Sequence, residues 1–237
     1  MILRPALALL MLVLASSAWG APPPEPDAED ANAAKLLTEG VRVLTQEKKP
    51  AEAIPYFDRV IASYESRYSD RKTRYFSARF PTESLYYVLD AANNDKGSTR
   101  VVSANWAYAH YTKGYALIEL GRIADAKVAL GRAVQLAPEN SQILSEYGHV
   151  FEIEKAWPQA LEIFRRAERA AKEFSPPDKH DAELARAWRG MGYSLIEMQR
   201  YDEAETLYRQ CLDLNKEHRS ALRELAYLRS LKAKAPR

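Results

Sequence analysis

The chain lacks the disulfides, the strong net charge and the catalytic motifs on which several classes of protein depend. Cys211 is the only cysteine among 237 residues, so an internal disulfide is impossible and the fold must be held by packing. The formal net charge is only +2, which indicates no strong electrostatic preference for nucleic acid. The sequence has no phosphate-binding glycine loop, no paired-cysteine motif and no HExxH motif. We therefore predict a protein that is not an enzyme, with no catalytic residues, no cofactor and no nucleic-acid partner.

Histidine is also scarce, and the candidate metal ligands are few. His149 and Glu152 lie one turn apart on a predicted helix and are the best pair for a metal ion. Two ligands at that spacing often occur by chance, and a catalytic zinc ion needs three protein ligands. We predict no metal site. Cys211 takes a position typical of alanine, which favours a buried, inert thiol over a nucleophile.

The only long apolar run lies at the N-terminus. Arg4 precedes the apolar segment 6–15, and Ala18-Trp19-Gly20 places small residues at the −3 and −1 positions of a cleavage site. This pattern predicts a secretory signal peptide over residues 1–20, cut after Gly20. A membrane anchor is the alternative, but about 20 apolar residues are needed to span a bilayer and this run is shorter. We expect a periplasmic or secreted protein with no transmembrane segment in the mature chain.

A repeat with a fixed period is what the sequence does contain. In each copy a small residue is followed at +3 by a large apolar residue, at +12 by alanine, at +16 by a large apolar residue and at +19 by alanine. The pairs that stand 34 residues apart are Gly114 and Gly148, Leu117 and Phe151, Ala126 and Ala160, Leu130 and Phe164, and Ala133 and Ala167. The pattern describes two short helices packed against each other, and a period near 34 is typical of a helical solenoid.

In these positions the chain resembles the tetratricopeptide repeat family. The resemblance implies an all-α fold, a right-handed superhelical solenoid of antiparallel helix hairpins. A further copy around Trp188, Gly192 and Tyr208 fits the same framework, although Gly192 follows Gly148 by 44 residues, ten more than the period. A divergent copy is predicted near the N-terminus, where Val41 stands at the position of the small residue and Gly40 comes one position early.

These observations predict the organisation of the whole chain. The predicted segments are a signal peptide (1–20), a disordered proline-rich tail (21–30), a divergent hairpin (31–66), an irregular or helical insertion (67–106), two repeats (107–140 and 141–174), a loop extension (175–184), a third repeat (185–218) and a capping helix with a basic tail (219–237).

The predicted insertion mixes basic and aromatic residues. Arg67, Arg71, Lys72, Arg74 and Arg79 are interleaved with Tyr68, Tyr75, Phe76 and Phe80. Such a mixture can bind nucleic acid by phosphate pairing and stacking. The low net charge favours the other interpretation, a connector whose aromatic side chains pack on the solenoid and whose charges are solvated. We predict a helix beginning at Pro81, and another that begins near Thr99 and merges into the repeat at Ala107.

The resemblance also implies a binding surface. In this family the first helix of each hairpin lines a concave groove that grips peptides, with groove positions at −6, −3, +1 and +4 from the small residue. The candidate partner-binding residues are Tyr108, Tyr111 and Tyr115 in the first full repeat, Ser145, His149 and Glu152 in the next, and Arg186, Arg189 and Tyr193 in the last. Tyrosine offers a large contact area at little cost in rotamer entropy, and the two arginines could pair with a carboxylate.

Two questions about this groove stay open at the level of sequence. The tyrosines of the first repeat are either free to bind a partner or packed under the insertion. Family members that bind chaperone tails use a lysine, asparagine and arginine clamp, and Tyr115 stands where asparagine would be needed, so that ligand is not predicted. The favoured function is a non-catalytic adaptor or scaffold for a protein or peptide. The alternative is a self-assembling structural component of the cell envelope.

Overall fold

The fold is a row of helical hairpins with one small insertion. The computed structural model describes residues 27–94 and 97–234. The helices in this part of the chain are α1 (Ala28–Thr45), α2 (Pro50–Arg67), α3 (Pro81–Asn94), α4 (Asn105–Glu119), α5 (Ile123–Leu136), α6 (Ser141–Ile153), α7 (Trp157–Phe174), α8 (Pro177–Glu197), α9 (Tyr201–Leu214) and α10 (Arg219–Lys234), and the strands are β1 (Thr73–Ala78) and β2 (Ser98–Ser103).

Consecutive helices pair as hairpins, and each hairpin packs on the next. The hairpins are α1 with α2, α4 with α5, α6 with α7, and α8 with α9, and α10 packs on α9. Each hairpin buries its apolar stripe against its neighbours, so the core runs along the row. The predicted all-α solenoid of helix hairpins is confirmed. None of the helices in the described residues combines the length and the apolarity needed to cross a bilayer.

A small residue on the first helix of each hairpin lets the second helix come close. A Cβ atom on Gly114 would lie 2.5 Å from Cγ of Leu130, which real structures do not tolerate. In the first hairpin the corresponding contact is between Gly40 and Phe57, where a Cβ would lie 2.6 Å from the ring. The small residue of the divergent hairpin is therefore Gly40. The expectation at Val41 was off by one, because this hairpin has one residue more between the two contact positions.

The N-terminal predictions are tested only in part. The predicted signal peptide and residues 21–26 of the predicted tail lie outside the described residues. The prediction of disorder is wrong for residues 27–30, because α1 begins at Ala28 and Asp27 caps it by accepting the backbone N–H of Glu29 at 2.9 Å. Arg67 at the end of α2 also holds this turn through ion pairs to Asp27 at 2.7 Å and Asp30 at 2.5 Å.

The insertion forms a strand, a helix and a second strand. β1 and β2 are parallel and pair from Thr73 opposite Ser98 to Ala78 opposite Ser103, with α3 as the crossover. The predicted helix near Thr99 is wrong, since this segment is β2 and α4 begins only at Asn105. Thr99, Val101 and Val102 are β-branched, which favours an extended backbone beside a partner strand.

The aromatic side chains of the insertion pack on the solenoid, as one of the two interpretations expected. The Tyr68 ring stacks on Trp106 of α4 with ring centroids 5.9 Å apart. The ring centroids of Tyr86 in α3 and Phe174 in α7 are 4.6 Å apart. The Tyr87 hydroxyl accepts the backbone N–H of Glu139 at 3.3 Å. The same interpretation is wrong about Arg67 and Arg79, whose charges are paired within the protein. The Arg79 side chain is only 7% exposed and is paired with carboxylates.

The predicted loop extension is mostly helical. α8 begins at Pro177 and has 21 residues, so the residues added to the repeat period lengthen its N-terminal end. Proline is tolerated there, because the first turn of a helix has no use for the missing N–H. The added turns carry Glu183, which accepts from Arg79 at 3.2 Å and from the Ser175 hydroxyl. The extension therefore meets the insertion.

Candidate functional site: the concave groove

The first helices of three hairpins, α4, α6 and α8, line one surface together with α10, and we call this surface the groove. A cavity of about 500 Å³ lies in it, with walls from α4, α6, α8 and α10. Seven of the nine predicted partner-binding residues line this cavity. They are Tyr115, Ser145, His149, Glu152, Arg186, Arg189 and Tyr193. Whether these residues bind a partner stays a prediction. They lie around one cavity because they occupy equivalent positions in successive repeats.

The sequence left open whether the tyrosines of α4 are free to bind a partner or packed against the insertion, and the structure shows some of each. Tyr115 is 37% exposed in the groove. Tyr111 is partly buried and accepts a hydrogen bond from Nε2 of Gln142 at 3.1 Å, and burial raises the pKa of its hydroxyl. Tyr108 faces a separate cavity of about 420 Å³, beside Arg79 and Phe80 of the insertion. Only the C-terminal end of the stripe is therefore presented to the groove.

Arg186 is committed to a contact within the protein. Its guanidinium pairs with Glu146 of α6, a carboxylate whose side chain is only 3% exposed. Burying the Glu146 carboxylate without a cation would cost several kcal/mol, so this position tolerates a buried glutamate because Arg186 pairs with it. Arg186 also approaches the Tyr111 hydroxyl. Arg186 does pair with a carboxylate, but that carboxylate belongs to Glu146 of the same chain and not to a binding partner.

Arg189 differs from Arg186 although both were predicted for the same role. It lies one turn further along α8 and lines the cavity. Among the described residues, no carboxylate lies within ion-pair distance of Arg189, so its guanidinium keeps its donors for a ligand. Tyr193, one turn beyond, is 40% exposed and its ring meets Trp157 edge-on at 5.8 Å. A cation and two exposed aromatic rings thus face the same cavity.

His149 and Glu152 bind each other on α6. Nδ1 of His149 lies 3.0 Å from Oε2 of Glu152. This hydrogen bond raises the pKa of His149, while burial raises the pKa of Glu152. Within residues 27–94 and 97–234 no group of three or more potential ligands is placed to hold a metal ion. The pair therefore acts as an internal contact in the groove wall.

A buried hydroxyl at the groove wall lacks a partner. Ser145 lines the cavity and is almost fully buried, and its Oγ makes no hydrogen bond to any described group. A buried polar group without a partner loses hydrogen-bonding free energy that a ligand can restore.

Cys211 lies outside the groove cavity and is buried, with its thiol directed to the carbonyl of Ala185 at 3.6 Å. Burial raises the pKa of the thiol to about 11, as expected of an inert cysteine.

The sequence interpretation missed the fourth wall of the groove. Ser220, Arg223 and Glu224 of α10 line the same cavity. Counting one more period of 34 from Gly192 reaches Ala226, and the −6 and −3 positions from it are Ser220 and Arg223. The 34-residue period therefore indicates that Ser220 and Arg223 occupy groove positions. They were missed because α10 was interpreted only as a capping helix.

Comparison with known proteins agrees with this architecture. Residues 139–217 and residues 107–140 each match a description of the tetratricopeptide repeat. Together these matches cover residues 107–217 and support a tetratricopeptide repeat protein. The first hairpin and the insertion lie outside them. Among curated proteins, none matches the chain significantly.

Solved structures share the fold at low sequence identity. The structure of pilF from Pseudomonas aeruginosa is similar with a TM-score of 0.61 and 15% identity, over 88% of this chain and 72% of that chain. MamA from Desulfovibrio magneticus RS-1 gives a TM-score of 0.55 at 16% identity over 85% of each chain. At such identities the likeness shows the fold alone.

Proposed function

We propose that this chain is a non-catalytic adaptor or scaffold that binds a protein or peptide in the groove. The observation that carries the proposal is the cavity shared by α4, α6, α8 and α10, where Arg189 makes no ion pair with any described residue and two tyrosines are exposed. Aromatic and arginine side chains contribute most to protein interfaces. Glu119 and Glu224 also line the cavity, so its positive charge is confined to single arginines such as Arg189. We therefore expect a ligand segment that places one acidic group at Arg189 and apolar side chains beside it.

Site-specific crosslinking tests this proposal. A photoreactive phenylalanine analogue at Tyr115 or Tyr193 should capture the partner in cells, because both rings are exposed in the groove. The matched control places the same analogue at Val128, which is 75% exposed on α5 and outside the groove. The Arg189→Ala change should then reduce capture at Tyr115 by about tenfold, the worth of one charge-assisted contact. Equal capture at Val128, or capture that Arg189→Ala leaves unchanged, would refute binding in the groove.

We also propose that the protein is exported and cleaved after Gly20. The support is the pattern of Arg4, the apolar segment 6–15 and the small residues at 18 and 20. The mass of the mature chain, measured by intact-protein mass spectrometry after cell fractionation, tests it. A chain that keeps residues 1–20 and remains in the cytoplasm would contradict export.

A second candidate function is self-assembly. It has one observation in its favour, because Leu222 and Tyr227 of the last helix are 46% and 49% exposed. An apolar end face of a solenoid can stack on another copy. Light scattering over a range of concentrations separates the two candidates. Large assemblies that Tyr227→Ser dissolves favour self-assembly, and a monomer at all concentrations favours the adaptor.

A further inference from the structure

A second cavity lies outside the groove and has a different character. It has a volume of about 690 Å³ and lies between the segment that joins α2 to β1 and the outer helices α5 and α7. None of the residues that line it also lines the groove. Its cationic residues are Arg71, Lys72, Arg74, Arg132 and Arg166.

The cavity carries a large excess of positive charge. Arg74 has a partner of its own and is left out of the count, so four cations face a single carboxylate, Asp70. These groups leave a net charge of +3 in the lining of a chain whose total charge is +2. Asp70 is occupied by its own turn, since it accepts the backbone N–H of Lys72 at 2.9 Å and the hydroxyl of Thr73 at 2.7 Å. These hydrogen bonds lower the pKa of Asp70. The single acid therefore does not neutralise the cavity.

The four cations other than Arg74 make no ion pair with any described residue. In the part of the chain that the structure describes, no carboxylate comes within ion-pair distance of Arg71, Lys72 or Arg166. Arg132 donates to the neutral Gln135 at 3.0 Å. The adjacent Arg67 is different, because Asp27 and Asp30 neutralise it. The charge excess is thus local to the cavity.

We propose that this cavity binds a small anion with two phosphate groups, either free or as a lipid headgroup. A phosphate monoester carries about 1.5 to 2 negative charges and a phosphodiester about one, so two phosphates bring about 2 to 4 negative charges to a lining of +3. Guanidinium groups match phosphate oxygens in a bidentate geometry, and four of the five cations are arginines. The volume lies within the range of about 300 to 1,000 Å³ that ligand sites occupy. This site is independent of the proposed function of the groove.

The free form is tested by calorimetric titration of the purified protein with inorganic pyrophosphate. The variant Arg132→Gln/Arg166→Gln should weaken binding by at least about tenfold, because each guanidinium loses charge-assisted hydrogen bonds. The matched control is Arg165→Gln, the neighbour of Arg166 on α7, which does not line the cavity. Its affinity should stay within about twofold. Since Arg132 lies over the Trp106 ring, Arg71→Gln/Lys72→Gln provides a second variant pair in an exposed turn.

The lipid form is tested by sedimentation with phosphatidylcholine vesicles that do or do not contain cardiolipin, a lipid with two phosphates. Pyrophosphate binding that depends on the cavity cations supports a free ligand. Cardiolipin-dependent sedimentation that depends on them, without pyrophosphate binding, supports a lipid headgroup. The proposal is overturned if neither probe binds. It is also overturned if the two cavity variants bind as the wild type does, or if Arg165→Gln loses as much affinity as they do.

Discussion

Arg186 of α8 and Glu146 of α6 form an ion pair that joins the first helices of two neighbouring hairpins. The pair lies in the groove wall, and Arg189, one turn away, has no such partner among the described residues. Two arginines three residues apart on the same helix therefore have different roles. One stabilises the wall, and the other is available to a ligand.

This difference predicts unequal costs for two equivalent substitutions. Arg186→Ala leaves the buried carboxylate of Glu146 unpaired and should lower the free energy of unfolding by about 1–3 kcal/mol, less than for a fully buried pair because Arg186 is partly exposed. Arg189→Ala should stay within about 0.5 kcal/mol of wild type. Urea unfolding followed by circular dichroism measures both. Equal losses would show that the ion pair is not the source of the difference.

A second prediction concerns the packing of Phe164 on Gly190. A Cβ atom at Gly190 would lie 2.3 Å from the Phe164 ring, so Gly190→Ala forces that ring to move. Overpacking of this kind should cost about 1–3 kcal/mol.

Gly131 of α5 is the control, because the nearest atom to a Cβ there is the Tyr147 hydroxyl at 3.6 Å, an ordinary contact. Gly131→Ala should raise stability by about 0.4–1 kcal/mol through helix propensity and the loss of unfolded-state entropy. Thermal unfolding of both variants tests the pair. A Gly190→Ala protein as stable as wild type would contradict the close packing.

Much of the repeat could be predicted because its signals are local and periodic. Gly114, Leu130 and their counterparts recur at fixed spacing, so the hairpins and most of the groove wall followed from counting. The same counting extended past Gly192 would have found Arg223. The pairing of Arg186 with Glu146 could not be predicted, because it depends on the relative rotation of two helices.

The insertion was harder for a physical reason. β1 and β2 satisfy each other's backbone groups across an intervening helix, so neither is recognisable as a strand without its partner. The ten residues added before Gly192 looked like a loop because Pro176 and Pro177 break helices, but proline at the first turn begins one. Glu183 and Arg79 are about a hundred residues apart, and no local pattern joins them.

That long-range contact leads to a third prediction, that Arg79 holds the insertion on the solenoid. Arg79 pairs with Glu83 at 2.7 Å and with Glu183 at 3.2 Å, and all three side chains are largely buried. Arg79→Met keeps the apolar stem but leaves two buried carboxylates unpaired, which should cost about 3–5 kcal/mol. Hydrogen exchange should then become faster in β1 and α3 than in α6.

Two further variants make this prediction specific. Arg71→Met changes an exposed arginine of the same insertion and should alter stability by no more than about 0.5 kcal/mol. Combining Arg79→Met with Glu83→Gln and Glu183→Gln removes all three charges and should recover much of the loss. If the triple variant is no more stable than Arg79→Met, the unpaired carboxylates are not the cause.

The fourth prediction concerns pH and the contact between His149 and Glu152. The hydrogen bond to Glu152 raises the pKa of His149 in the folded protein. The stabilisation from protonated His149 is therefore complete below its ordinary pKa of about 6.5 and is lost as the pH rises through the raised value. A histidine NMR titration should give a lower pKa in Glu152→Gln than in wild type. Unfolding free energies should fall across this window in wild type but not in His149→Gln, and parallel curves would exclude the histidine as the titrating group.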